Sequence, residues 1–245
     1  MIALALTFAL AQEDAVLEAA KTFESAKNYS FKGESLMEMP DFGGGGEEPV
    51  PQKFEGKHDA DIGTTLLTDT QEIVRYKGHT ATRPRAEWRV QPEEGDEGGG
   101  RRGGGRRGMM GRMGGGARTP QEDLAGLGDK FKSVEGGEKK ETVGEDECTL
   151  YEAELTEDAA MALFGGGGRG LGRMTEEAEF DGEMKIWIDN QGRIARYETK
   201  VAVFASTAQG EFEMTATRTV TIYAVGETKV EIPDGAKDAI DGGDF

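Results

Sequence analysis

From Phe180 to Ile222 apolar and polar residues alternate along most of the chain, and this constrains the fold more than any other feature. Phe180, Met184, Ile186 and Ile188 are apolar, while Asp181, Glu183 and Lys185 between them are charged. Successive side chains of a strand point to opposite sides, so a period of two marks a strand with one buried face. Asp189-Asn-Gln-Gly192 then supplies turn chemistry. A second strand places Ala195, Tyr197, Val201 and Val203 on one face. A third places Phe212, Met214, Ala216, Val220 and Ile222 on one face, with Glu211, Glu213, Thr215, Thr217, Thr219 and Thr221 on the other. Lys229-Val-Glu-Ile-Pro233 reads as a closing strand. The result is a long antiparallel meander with one apolar and one polar face, and something must cover the apolar one.

Upstream elements are shorter. Glu13 to Lys27 has Val16, Leu17, Ala20 and Phe23 on one helical face and acids in its first turn. Strands are expected around Tyr29–Met37, Gln52–Asp61, Thr64–Leu67, Glu72–Lys77 and Ala86–Val90, with a glycine-proline loop at Pro40–Pro51. Thr119, Pro120 and Glu122 form a capping box at the head of a short helix. Phe131–Val143 leads through Gly144 into a strand at Cys148–Leu155, and Thr156 opens a second short helix carrying Met161, Leu163 and Phe164.

The amino-terminal stretch Met1 to Gln12 is apolar and ends in Ala9-Leu-Ala11. It is too short to span a bilayer and resembles the apolar and cleavage regions of a secretory signal, so residues 1–11 are expected to be removed on export. Residues 12–235 then form one domain, and 236–245 an acidic tail.

Composition narrows function by exclusion. The net charge of −18 argues against binding nucleic acid in general or anionic membranes. The charge is uneven, because residues 98–118 carry six arginines and no acid within a glycine-rich insertion spanning 92–118. This insertion and the glycine-rich loop 165–173 read as surface segments. An arginine-glycine segment can bind single-stranded nucleic acid, but this one lacks the aromatic residues that stack on bases. Cys148 is the only cysteine, so no internal disulfide forms, and it reads as a small core residue. His58 and His79 have no ligand cluster near them in sequence, and no metal or cofactor is expected. No nucleophile–base set can be picked out either, and the chain reads as non-enzymatic.

Three stretches carry a family resemblance. Thr142 to Leu155, followed by Thr156 to Leu163, resembles a strand and an Ala-Ala-x-Ala-Leu helix. Met184-Lys-Ile-Trp-Ile-Asp-Asn-Gln-Gly-Arg-Ile194 resembles a Val-Trp-Val-Asp-x-x-Gly-Arg-Leu hairpin, and Val220 to Asp234 resembles a pair of closing strands. Together they are similar to the LolA-like lipoprotein-carrier superfamily, and within it to the LppX/LprG-type lipid-binding proteins. The resemblance implies an α+β fold, a strongly curved antiparallel β half-barrel with an N-terminal helix and short helices covering the concave face. It also implies an apolar cavity there.

The expected function is an exported, periplasmic or secreted carrier of a lipid or of the acyl chain of a lipoprotein, making transient membrane contact. The expected lining is Val16, Phe23, Phe31, Met161, Phe164, Met184, Ile186, Ile188, Tyr197, Val201, Phe212, Met214, Val220 and Ile222. The alternatives are an envelope interaction or sensor module of the same fold with no bound lipid, and nucleic-acid binding through the glycine-arginine insertion.

Overall fold

The computed structural model describes residues 2–39, 49–84, 86–91, 118–165, 178–207 and 210–242, with the side chains of 2–10, 165 and 207 left out. The insertion up to residue 117 and the glycine-rich loop from 166 lie outside these residues. The helices are α1 (Ile2–Glu24), α2 (Pro120–Leu124), α3 (Glu157–Gly165) and α4 (Asp234–Asp241), with a 3-10 turn at Leu127–Lys130. The first six strands are β1 (Asn28–Glu38), β2 (Gln52–Asp59), β3 (Gly63–Thr68), β4 (Glu72–Tyr76), β5 (His79–Arg83) and β6 (Arg89–Val90). The remaining five are β7 (Phe131–Val143), β8 (Asp146–Leu155), β9 (Glu179–Asp189), β10 (Ile194–Thr207) and β11 (Gly210–Tyr223).

All eleven strands form one open antiparallel sheet in the order β6-β5-β4-β3-β2-β1-β11-β10-β9-β8-β7. Two meanders, β1–β6 and β7–β11, are joined where the first strand pairs with the last, Phe31 opposite Ile222. The apolar faces of both meanders merge into one core extending from Ile73 on β4 to Val134 on β7, the arrangement of a half-barrel. On α1, Val16, Ala19, Ala20 and Phe23 follow the i, i+3, i+4, i+7 spacing of a buried helical stripe and cover part of this face. Gln12 donates to Gly136 O at 2.6 Å, pinning α1 to the edge strand β7. The helix α3 lies across β9 and β10.

Several expectations change. The helix expected at 13–27 is part of α1, which runs unbroken from Ile2 and stops at Glu24. A bulge between Ile194 and Arg196 puts Ile194 in the concave core and turns Ala195 to the other face, so Ala195 and Tyr197 do not share a face. Lys229–Pro233 pairs with no strand. Its alternation is real, but Val230 and Ile232 pack with Val74 and Trp88 on the convex side of the sheet. The acidic tail forms the helix α4 in part, because Ala236 and Ile240 recur four residues apart and are buried.

Candidate functional site

The concave face is crossed by rows of side chains set by strand register. Met37, Ala216 and Val201 form one row, and Ser35, Arg218 and Thr199 form the row before it. Further in come Gly33, Val220, Tyr197 and Ile186. The row of Arg218 divides the face. Inside it the core under α1 is close-packed, with Tyr29, Phe31, Ile186, Tyr197 and Val220 fully buried. At and beyond it lies a cavity of about 200 Å³, walled by Met37, Leu163, Phe164, Val201 and Ala216. Met39 and Val50 line its mouth and are 50% and 78% exposed. Two larger concavities, of about 520 and 750 Å³, are shallow grooves with charged walls. One lies along Lys32, Lys53 and Arg196 on the convex side, the other beside the C-terminal segment.

The dividing row is held by a buried ionic cluster. Thr119 caps α2 through the Glu122 amide, and Glu122 returns a bond to the Thr119 amide. This orients α2 so that Asp123 enters the core with 1% of its side chain exposed. Its Oδ2 accepts from the Tyr197 hydroxyl at 2.5 Å and from Arg218 Nε at 2.9 Å. Its Oδ1 lies 3.0 Å from Arg118 Nε, an ion pair not aligned as a hydrogen bond. Arg118 also donates to the Ala162 carbonyl near the C-terminal end of α3, where a cation suits the helix dipole. Lys130 Nζ donates to the Asp123 carbonyl. Arg218 stacks over Phe54 at 4.2 Å and donates to the Arg118 carbonyl.

Among the described residues two arginines thus face the Asp123 carboxylate, and Lys130 holds its backbone carbonyl. Burial, followed by the charge of Asp123, pushes the Tyr197 phenol well up. Burial, followed by the charge of Arg118, pushes the Lys130 ammonium down. Among the described residues no three His, Cys, Asp or Glu side chains gather as metal ligands.

Of the fourteen residues expected as lining, Met161 is 44% exposed and stands apart from the core, because it lies on the outer side of α3. The other thirteen share one apolar cluster. Only Phe164 and Val201 touch the cavity. Met214 and Phe212 lie one and two rows beyond Ala216 on the same face of β11. Arg218, Asp123 and Thr199 were missed. The signal for Arg218 is legible, since it occupies the position between Ala216 and Val220 where the alternation calls for an apolar residue. The described ends of three glycine-rich stretches, at Met39 and Pro49, at Arg118 and at Gly165, also lie at or beside this cavity.

No family model matches the sequence, and no curated protein matches it. Among solved structures the chain is similar to the lipoprotein LppX of Mycobacterium tuberculosis, with 7% identity, 91% of this chain and 98% of that one covered, and a TM-score of 0.47. It is similar to LprF of Mycobacterium bovis with 9% identity, coverage of 92% and 97%, and a TM-score of 0.46. A LolA superfamily protein from Nitrosomonas europaea matches with 8% identity, coverage of 91% and 95%, and a TM-score of 0.30.

Proposed function

We propose that this protein is an exported, non-enzymatic binder of a lipid or lipidated ligand, one of whose acyl chains enters the concave face at the Met37–Val201 row. The cavity of about 200 Å³ carries the reading, because aliphatic walls lead to an exposed apolar rim at Met39 and Val50. Sites for drug-sized ligands enclose about 300–1,000 Å³. The enclosed part therefore suits one chain end, with the remainder lying along the rim. Each methylene removed from water contributes ~0.8 kcal/mol. In this reading Phe164 and Val201 touch the chain, Met214 and Phe212 extend its track, and Val16, Phe23, Phe31, Met184, Ile186, Ile188, Tyr197, Val220 and Ile222 support the wall from behind. Export is supported by the signal-like residues 1–11, and the partner would be a lipid or an acylated protein met at a membrane.

The test is native mass spectrometry of protein purified without detergent from an exporting host. A mature mass lacking residues 1–11 with an adduct of lipid mass supports both parts of the proposal. A cleaved chain that stays empty and takes up no added amphiphile overturns the binder reading in favour of an interaction module. An uncleaved chain overturns export.

A further inference from the structure

The five methionines among the described residues differ in how far solvent reaches them. Met184 and Met214 are 1% and 8% exposed within the concave core. Met161 is exposed on the outer side of α3, away from the cavity. Met37 and Met39 both line the cavity, Met37 partly buried in its wall and Met39 half-exposed at its mouth. The difference between these two arises at the end of β1. Successive side chains of a strand alternate in direction, so the odd positions Phe31, Gly33, Ser35 and Met37 share the concave side. Met39 continues that parity one residue past Glu38, the last residue of β1 to pair with β11. Its thioether therefore stands on the path proposed for the ligand and still meets solvent.

We infer that Met39 is an oxidation site through which hydrogen peroxide lowers the affinity of the protein for its apolar ligand. This rests on the binder reading and adds its regulation. The sulfur bonds to one peroxide oxygen as the O–O bond breaks. Sulfur gives up two electrons, the proton of the transferred oxygen passes to the departing one, and water leaves. The product is methionine sulfoxide, in which a flexible apolar side chain has become a polar one. Methylenes offer the new oxygen no hydrogen bond, so a chain laid over it takes water from an acceptor and replaces it with nothing. The change is reversible, because methionine sulfoxide reductase restores the thioether.

The experiment treats the delipidated full chain with hydrogen peroxide, maps the sulfoxides by peptide mass spectrometry, and titrates dodecanoate calorimetrically before and after. Met39 and Met161 are expected to oxidise ahead of Met37, with Met184 and Met214 last. Dodecanoate affinity should fall by about fivefold or more as Met39 converts, and return after treatment with methionine sulfoxide reductase. Met161→Leu should lose affinity on oxidation as the parent does. Met39→Leu should hold after peroxide the affinity it had before. The inference is overturned if affinity survives full conversion of Met39, or if Met39→Leu loses as much on oxidation as the parent. Resistance of Met39 under conditions that oxidise Met161 overturns it too. If the untreated parent takes up no dodecanoate, the binder reading falls and takes this inference with it.

Discussion

Asp123 is the hub of the buried cluster, and its removal should cost more than removal of any one partner. The carboxylate satisfies Tyr197 and Arg218 through Oδ2 and faces Arg118 through Oδ1. Asp123→Ala takes this counter-charge from a guanidinium that has 9% of its side chain exposed, together with the acceptor of a fully buried phenol. Breaking a buried pair from one side costs about 3–5 kcal/mol, because the remaining charge stays desolvated. In a chain of this length that lowers the melting temperature by roughly 6–20 °C. Arg218→Met is expected to cost less, about 1–3 kcal/mol, because Asp123 keeps Tyr197 and the partly exposed Arg118. Asp123→Leu with Arg218→Met and Tyr197→Phe removes the polar groups together and should recover most of the loss. Urea unfolding followed by Trp88 and Trp187 fluorescence measures all three. The hub reading is refuted if Asp123→Ala costs under about 1 kcal/mol, or if Arg218→Met costs more than Asp123→Ala.

Phe164 is 2% exposed and meets Phe180 edge-on at 6.1 Å between ring centres. Phe164→Ala should destabilise by about 3 kcal/mol, the low end for a buried ring because the cavity beside it is already open, and should weaken binding of dodecanoate in a calorimetric titration. An unchanged affinity would remove Phe164 from the site. Gly182 sits under α3, where an added Cβ would stand 2.9 Å from Leu155 Cδ1 and 3.0 Å from Ala160 Cβ. Gly182→Val should therefore lift α3 and cost about 1–3 kcal/mol in urea unfolding, and a parental midpoint would contradict that packing. His58 stacks on Tyr29 and bonds Thr64 through Nδ1, and burial is the main influence lowering its pKa from the usual 6.5. Its contribution to stability is complete above pH 6.5 and is lost as pH falls through the lowered value, because the unfolded chain then binds the proton more readily. Urea midpoints between about pH 7.5 and 5 should fall less in His58→Gln than in the parent, and parallel curves would show that His58 carries none of the dependence.

The one-sided meander was legible because period-two alternation needs only local residues, and β9–β11 has it in long runs, whereas its curvature into a half-barrel was expected only from the family resemblance. The capping box at Thr119 was legible for the same reason. The bulge at Ala195 was not, since one extra residue leaves no mark in composition and is revealed only by the partner strand. The site was half legible. Phe164 and Val201 of its apolar wall were expected, while Met37, Leu163 and Ala216 were not, and the division of the concave face depends on Asp123 meeting Arg218 across 95 residues of sequence. An arginine in an apolar register announces that a counter-charge exists without saying where it is. The acid-rich remainder of the chain offers many candidates.

One long-range pairing could have been read from the sequence. Phe31-Lys-Gly33 and Phe54-Glu-Gly56 repeat the same aromatic–x–glycine pattern. In the antiparallel pair β1–β2, Phe31 lies opposite Gly56 and Gly33 opposite Phe54. Each ring occupies the space its glycine leaves: a Cβ on Gly56 would be 2.4 Å from the Phe31 ring, and one on Gly33 would be 2.6 Å from the Phe54 ring. A slip of one residue would turn every side chain of one strand to the wrong face. A slip of two would set Phe31 against Phe54 and take both rings off their glycines. The register that satisfies both pairs at once also pairs Ser35 with Gln52, two residues from Gly33, and both residues line the cavity. The inner wall of the candidate site is thus set by two glycines that never touch it.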